Sequence, residues 1–247
     1  MIKITDAVKH LIIINVLFFI ATQLYGDQMY QWFALWFPKN ENFQIWQIVT
    51  HMFMHGGTTH ILFNMIGLWM FGSAVERYLD KTQFLFLYFS AGLGAVLFQL
   101  GFYYFNFIPA FSELQSSGLA ADQITEMLTS NRLIEGVTNA QVTQLRTIAP
   151  YFNASMVGAS GCIMGVLAAF GVMNPNAELM MIFLPIPIKA KYFIPGIILL
   201  DVISAVTGQS FFSPSNTAYM AHVGGALIGF IMMWYWKKNS FNKNRWN

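Results

Sequence analysis

Charged residues are scarce in this chain of 247 residues. Lysine, arginine, aspartate and glutamate together supply 10% of the sequence, against about 25% in soluble domains. A soluble domain of this size could not cover its surface with so few charges, which excludes an ordinary cytosolic enzyme and a disordered chain. The formal net charge of +2 is too small for a nucleic-acid binder, so no nucleic-acid partner is expected.

Cysteine is scarcer still, because Cys162 is the one cysteine of the chain. That count excludes a disulfide scaffold and a cysteine-based zinc site. The HExxH pattern of zinc metalloproteases is also missing, and the sequence predicts neither a metal nor another cofactor. An aspartyl intramembrane protease would need two aspartates inside apolar segments, and Asp201 is the one candidate.

Apolar residues, in contrast, make up 56% of the chain and gather in long runs. A membrane-spanning helix needs about 20 mostly apolar residues. No small-residue cleavage site follows the first run, so we expect a retained helix and not a signal peptide. The pattern predicts an all-α membrane protein, one domain over residues 1–247, with six transmembrane helices. The six predicted spans are Ala7–Leu24, Thr59–Ala74, Phe84–Phe107, Ser160–Met173, Tyr192–Val206 and Ala218–Trp236.

The basic residues orient these spans. Positive charge concentrates on the cytoplasmic side of membrane proteins, and the best fit has both termini in the cytoplasm. The cytoplasmic segments then hold Lys3, Lys9, Arg77, Lys81, Lys189, Lys191, Lys237, Lys238, Lys243 and Arg245, and the outer segments hold Lys39, Arg132 and Arg146. A long outer loop, about residues 108–157, separates spans three and four. Thr138 and Gln141 predict a capping box that starts a surface helix in this loop.

Polar side chains inside spans are costly and are therefore functional candidates. In the predicted orientation, spans two, four and six all run from the outside to the inside. His60 and Asn64 lie near the outer start of span two, Ser160 opens span four, and His222 lies a few residues into span six. The three helices should therefore present these four side chains at one depth near the outer surface. Asp201 in span five has no assigned role.

Small residues predict that these helices approach closely. Gly161 and Gly165 form one small-residue face, and Gly225 and Gly229 form another. Close contact would bring the Ser160 hydroxyl within reach of His222, as a serine activated by a general base requires. Ser160 also lies at a helix start, where free N–H groups can donate to an oxyanion. His60 and Asn64 would add side-chain donors to the same site.

At these residues the sequence resembles a rhomboid intramembrane serine protease. The matching segments are His55, His60-x-x-x-Asn64, Gly158-Ala159-Ser160-Gly161 and Ala221-His222-x-Gly224-Gly225-Ala226-Leu227-x-Gly229. The resemblance implies a six-helix bundle with Ser160 as nucleophile and His222 as general base and acid. It also implies an oxyanion hole formed by His60, Asn64 and the Ser160 backbone N–H. His55, Gly158 and Gly161 would support that site, and the substrates would be transmembrane proteins of the lipid bilayer.

The chain departs from the rhomboid pattern at three places. Gln47 follows Trp46 where the family usually has arginine, so the role of that arginine in shaping the first outer loop is open. Cys162 stands where alanine usually follows the serine motif. The outer loop between spans three and four is longer than in the basic family core.

Two other function classes would also fit parts of the sequence. A haem-binding membrane protein could use histidines of the chain, although these all fall near one membrane face; they are His51, His55, His60 and His222. A catalytically inactive rhomboid-like protein would bind membrane clients without cutting them. The expectation is an active serine endopeptidase, an integral multi-pass protein of a bacterial inner membrane, since the compact chain shows no targeting sequence.

Overall fold

The computed structural model describes residues 3–181, 184–211 and 217–243. Most of these residues are helical, and the strands are short. The helices are α1 (Asp6–Tyr25), α2 (Asp27–Phe33), α3 (Gln47–Thr50), α4 (Thr58–Gly67), α5 (Ser73–Leu79), α6 (Lys81–Ser116), α7 (Ala121–Ser130), α8 (Asn139–Phe152), α9 (Ser160–Met173), α10 (Ala190–Thr207) and α11 (Tyr219–Lys243). A 3₁₀ turn (His51–Phe53) follows α3, and a π-helical turn (Leu68–Gly72) joins α4 to α5. The strands are β1 (Leu35–Trp36), β2 (Ser155–Met156), β3 (Glu178–Met181) and β4 (Leu184–Lys189).

The helices have the composition of an integral membrane protein. Three of the described helices, α1, α6 and α10, are long and apolar enough to cross a membrane. α9 is equally apolar but has only 14 residues. Span two of the sequence analysis falls on the helical segments from α4 to α5, and nearly all of span six falls on α11. Arg245, used above for orientation, lies outside the described residues.

α9 is the central helix of the bundle. Its residues Gly161–Ala169 are all buried, and it packs against α6 and α11. Ser160 at the start of α9 contacts His222 near the start of α11, and Val172 near its end accepts a hydrogen bond from the Lys237 ammonium at 2.7 Å. The two helices therefore run parallel, as the predicted topology requires of spans four and six.

α6 is longer than the third predicted span. That span is predicted to end at Phe107, but the helix continues to Ser116 and has 36 residues. At about 1.5 Å per residue α6 is about 54 Å long, which exceeds the hydrocarbon core of about 30 Å. Proline usually breaks a helix interior, yet α6 continues through Pro109 to Ser116. The proposed outer loop therefore begins as helix.

The extension of α6 carries a small cap with its own apolar core. Helices α7 and α8 pack against it, and Phe37 from the segment between β1 and α3 joins them. The core residues are Phe37, Phe107, Leu114, Ile124, Met127, Leu128, Leu145, Ile148 and Phe152. The predicted capping box is present, because the Gln141 N–H donates to the Thr138 hydroxyl while the Thr138 N–H donates to the Gln141 side chain. The cap is thus folded and is held to the bundle by apolar packing.

Gln47 organises the segment between α2 and α3, where the rhomboid pattern would place arginine. Its side chain is fully buried. The amide nitrogen donates to the carbonyl oxygens of Gln31 and Asn42 at 3.0 and 2.8 Å, and the amide oxygen accepts from the N–H of Gln44 at 3.0 Å. A neutral amide can therefore both donate to and accept from backbone groups of this loop. An arginine only donates hydrogen bonds and could not accept from the Gln44 N–H.

At the opposite end of the bundle, Glu76 of α5 caps the N-terminus of α1. Its two carboxylate oxygens accept hydrogen bonds from the N–H groups of Ala7 and Val8 at 3.0 and 3.1 Å, and from the Thr5 hydroxyl. The carboxylate is 7% exposed and lies where the positive end of the helix dipole favours an anion. This contact fixes α1 to the helices that lead into the candidate site.

Candidate active site

Three polar side chains from three helices form a chain of hydrogen bonds. The Ser160 hydroxyl on α9 is 2.9 Å from the Nε2 atom of His222 on α11. The Nδ1 atom of the same imidazole is 2.8 Å from the Oδ2 atom of Asp201 on α10. Asp201 is fully buried and His222 is 9% exposed. The arrangement has the order serine, histidine, carboxylate that activates a serine nucleophile.

The partners of His222 decide which of its nitrogens carries the proton. A carboxylate only accepts hydrogen bonds, so Nδ1 must donate to Asp201. In a neutral imidazole the other nitrogen is then an acceptor. Nε2 therefore accepts the hydrogen bond of the Ser160 hydroxyl, which is the tautomer that a general base needs.

Glycines bring α9 and α11 into backbone contact. A Cβ atom added at Gly225 would lie 2.0 Å from the carbonyl oxygen of Gly161, and one added at Gly229 would lie 2.1 Å from that of Gly165. Only hydrogen fits at these crossings. The distance between the Ser160 and His222 side chains is therefore set largely by two backbones that touch.

α6 fixes the start of α11 from the other side. The Gln99 side chain, which is 4% exposed, accepts a hydrogen bond from the N–H of Ala221 at 3.1 Å. The first N–H groups of a helix lack acceptors within the helix. The Ala221 N–H also donates to the Ala218 carbonyl at 3.0 Å, so Gln99 adds a second acceptor, from α6, immediately before His222.

Gly158 separates the His60 ring from the Ser160 hydroxyl without a side chain of its own. Its φ angle is +130°, a region that favours glycine, and its N–H donates to the His51 carbonyl at 2.9 Å. A Cβ atom at this position would lie 2.9 Å from Nε2 of His60 and 3.6 Å from the Ser160 hydroxyl. Position 158 thus lies between the two side chains, and the absence of a side chain leaves the space above the serine open.

His60 and Asn64 present donors from α4. The Gly56 N–H donates to Nδ1 of His60 at 3.3 Å, so in the neutral ring the proton is on Nε2, the atom that lies beside Gly158. Asn64 is 8% exposed, and among the described residues its Nδ2 atom has no hydrogen-bond acceptor. A buried donor without an acceptor is costly, and a transient anion at this position would satisfy it.

Two further histidines are buried beneath this site. His51 is 2% exposed and donates from Nδ1 to the Gln47 carbonyl at 2.7 Å. His55 is fully buried and packs edge-on against the His60 ring, with centroids 5.0 Å apart. Burial lowers the pKa of His51 to about 4. Burial, with the neighbouring His60 as a second cause, lowers the pKa of His55 to about 4 as well.

These two histidines predict that acid destabilises the fold. Between about pH 6.5, the pKa of an unfolded histidine, and about pH 4, the pKa of each folded group, only the unfolded chain binds the two protons. The free energy of unfolding should therefore fall as the pH falls through this window, by up to about 1.4 kcal/mol per pH unit for each histidine. Denaturation of the protein in detergent at a series of pH values measures this slope.

The control for this titration is His55→Gln, which replaces one imidazole with an amide that does not titrate. The slope between pH 6.5 and pH 4 should then be shallower than in the wild type, whatever the variant does to the stability at neutral pH. A free energy of unfolding that is constant from pH 7 to pH 5 in the wild type would contradict the prediction.

The structure brings most of the sequence-predicted site residues to one place. Ser160 and His222 are hydrogen-bonded, and His60, Gly158 and Gly161 adjoin them; a Cβ atom on Gly161 would lie 2.5 Å from that of Ala95. Asp201 is the residue that the sequence analysis left without a role. It lies six residues before the end of α10, close to the predicted depth of Ser160 and His222, and that depth was the signal available in the sequence.

Comparisons with known proteins identify the family that the chain resembles. A family model described as Rhomboid domain matches residues 42–239. Presenilin-associated rhomboid-like protein A, mitochondrial, of Danio rerio is 29% identical over 189 residues, which are 76% of this chain and 36% of the relative. Rhomboid protease GlpG of Salmonella newport and of Salmonella heidelberg is 42% identical over 69 residues, 28% of this chain and 25% of the relative. The matches thus span about a third of the first relative and a quarter of the others.

Proposed function

Because the chain belongs to the rhomboid family, we propose that it is an intramembrane serine endopeptidase that cuts transmembrane segments of membrane proteins near their outer ends. The observation that carries this proposal is the 2.9 Å hydrogen bond between the Ser160 hydroxyl and Nε2 of His222. It joins a nucleophile to a base in the correct tautomer at the start of a buried helix. Ser160 is then the nucleophile and His222 the general base and acid.

The reaction is an acyl transfer. The Ser160 oxygen attacks the peptide carbonyl carbon, and its proton passes to Nε2 of His222. The tetrahedral intermediate collapses when the C–N bond breaks and the imidazolium gives this proton to the leaving amine. A water molecule, activated by the same imidazole, then hydrolyses the acyl-enzyme and frees Ser160.

The oxyanion of that intermediate needs hydrogen-bond donors. We assign this role to the Ser160 backbone N–H, to Nε2 of His60 and to Nδ2 of Asn64. The hydrogen bond from Gly56 to Nδ1 of His60 supports the assignment for His60, and the missing acceptor supports it for Asn64. Donors of this kind, held in place before the reaction, stabilise the charge that develops in the transition state. His55 and Gly158 would keep His60 in position, and Gly161 would keep α9 against α6.

The proposal includes a membrane arrangement. Six helices would cross the bilayer, with both termini cytoplasmic and residues 108–157 outside, in a single rhomboid-like domain. The parallel course of α9 and α11 and the distribution of basic residues support this orientation. We also propose a bacterial inner membrane as the location; the Salmonella relatives are bacterial proteins, whereas the Danio rerio relative is named as mitochondrial.

The substrate class follows from the bilayer. The amides of a transmembrane helix are hydrogen-bonded within the helix, so the scissile bond is accessible only where the helix unwinds. A site at the outer ends of α9 and α11 would meet the substrate close to water, which the hydrolysis requires.

The alternative function is a catalytically inactive rhomboid-like protein that binds membrane clients, and the experiment below separates the two.

The test combines a fluorophosphonate probe with a transmembrane model substrate, using the purified full chain in detergent. We expect the wild type to be labelled and to cleave. Ser160→Ala should do neither, because it lacks the nucleophile. Ser155→Ala, which changes an exposed serine of β2, is the matched control and should behave as the wild type.

Two results would overturn the proposal in different ways. Cleavage that survives Ser160→Ala would mean that the nucleophile is another group. A folded wild type that neither labels nor cleaves would favour the client-binding alternative.

A further inference from the structure

α10 carries a buried carboxylate that the serine–histidine mechanism does not require. The buried side chains of α10 form one stripe along the helix, Ala190, Ile194, Ile197, Asp201 and Ser204. The stripe is apolar at the inner end, where Ile194 and Ile197 pack against α9, and polar at the outer end. A carboxylate inside an apolar bundle costs several kcal/mol unless it is paired. The buried Asp201 carboxylate therefore needs a partner. His222 is one, since its Nδ1 atom is 2.8 Å from Oδ2 of Asp201.

We propose that Asp201 is a positioning residue that holds His222 in its active tautomer and stabilises the imidazolium formed during the reaction. The inference rests on the proposed function and deepens it, because it extends the Ser160–His222 pair to a third helix. The proton that leaves Ser160 stays on Nε2 of His222 until the leaving amine takes it. The Nδ1 proton stays on the ring throughout, and Asp201 accepts its hydrogen bond without becoming protonated.

The geometry also favours a role for Asp201 beyond packing. Asp201 is fully buried, and its Oδ2 atom points at the nitrogen opposite the one that meets the serine. The neighbouring polar residue of the stripe, Ser204, satisfies its hydroxyl within α10, on the Leu200 carbonyl at 2.8 Å. Asp201 instead forms a hydrogen bond with another helix, to His222 of α11, which is the general base of the proposed reaction.

The experiment compares Asp201→Asn with the wild type on the transmembrane substrate. Asparagine keeps the size of the side chain and removes its charge. Its amide can donate to Nδ1, which would put the ring proton on Nε2, where it cannot accept from Ser160. We expect kcat to fall by about 10²- to 10⁴-fold, with KM changed by much less, because the substrate does not touch position 201.

A second readout separates positioning from structure. Without the carboxylate the imidazolium is less favoured, so the acid limb of the kcat profile should move to lower pH. His60 on α4 is a titratable side chain that lies across Gly158 from the Ser160 hydroxyl, and it is the same in both proteins. The thermal midpoint should stay within a few degrees of the wild type, because a buried charge has been replaced by a neutral group of the same shape. Asp201→Glu, which restores the charge on a longer stem, should recover part of kcat.

Ser204→Ala is the matched control, one turn further along the same buried stripe, and should keep the wild-type kcat and pH profile. A kcat for Asp201→Asn within about threefold of the wild type and an unmoved acid limb would overturn the inference. So would a loss of activity that matches the loss of folded protein. In both cases wild-type cleavage that depends on Ser160 would leave the proposed function standing, whereas a wild type without such cleavage would remove both.

Discussion

Replacing His222 with alanine is expected to lower kcat/KM by about 10⁴- to 10⁶-fold, since His222 is the base that is hydrogen-bonded to Ser160 among the described residues. Nε2 of His222 is the atom that accepts the serine hydrogen bond in the structure, at 2.9 Å. Neither His60 nor His55 can substitute for it. His60 accepts the Gly56 N–H at Nδ1 and therefore presents a donor, and His55 is fully buried.

The same mechanism predicts that the effects of the two residues do not add. Ser160→Ala, His222→Ala and the double variant should share one residual rate, because the serine and its base act as a unit. His10→Ala is the matched control; His10 is an exposed histidine of α1 and its loss should leave kcat/KM unchanged. Single-turnover cleavage measures all four variants. A double variant much slower than either single variant would show that the two residues work independently and would contradict the mechanism.

Gly225→Ala is expected to separate α9 from α11 and to abolish cleavage. The new Cβ atom would lie 2.0 Å from the Gly161 carbonyl oxygen, whereas a carbon atom needs about 3.3 Å from such an oxygen. The helices must therefore move apart by about 1 Å or more. The hydrogen bond between Ser160 and His222 would then exceed its useful length of about 3.2 Å. Overpacking of this kind should also lower the free energy of unfolding by about 1–3 kcal/mol.

The expected decrease in the free energy of unfolding is informative because an unhindered glycine-to-alanine substitution in a helix would increase it. Alanine is a better helix former than glycine by about 1 kcal/mol, so the substitution would stabilise the helix if nothing stood in the way. Gly101→Ala is the matched control, because a Cβ atom there meets no atom within 4 Å. It should leave activity intact and stability equal or higher. Thermal denaturation and cleavage of both variants test this, and an active Gly225→Ala protein would contradict the close crossing.

The sequence predicted much of the helical pattern because that pattern depends on composition. Long apolar runs leave few alternatives to helices in a membrane, and each predicted span coincides largely or wholly with helix in the structure. Span three was predicted to end at about Phe107, whereas α6 continues beyond that residue, because hydropathy reports where a helix leaves lipid and not where the helix stops. Residues beyond Phe107 are polar enough for water yet continue the same helix to Ser116.

The candidate site was predictable only where its residues follow a local spacing or lie at matched depths. Ser160 between glycines, and His60 four residues before Asn64, are visible in the sequence itself. Asp201 and His222 are 21 residues apart on different helices, and no spacing rule connects them. The depth comparison was made for spans two, four and six; extended to span five, it would have included Asp201. The hydrogen bonds of Gln47 were equally hidden, since its partners are backbone groups of a folded loop.

The backbone contact between α9 and α11 has a consequence for how this sequence can diverge. The spacing of Ser160 and His222 depends on glycines at the crossings, such as Gly161 and Gly225, and not on the outward-facing side chains. Exposed positions such as Leu17 and Val206 need only be apolar. Related chains should therefore have replaced their lipid-facing residues freely while keeping the crossing glycines. Low overall identity among such chains would then say little about whether the serine still meets its base.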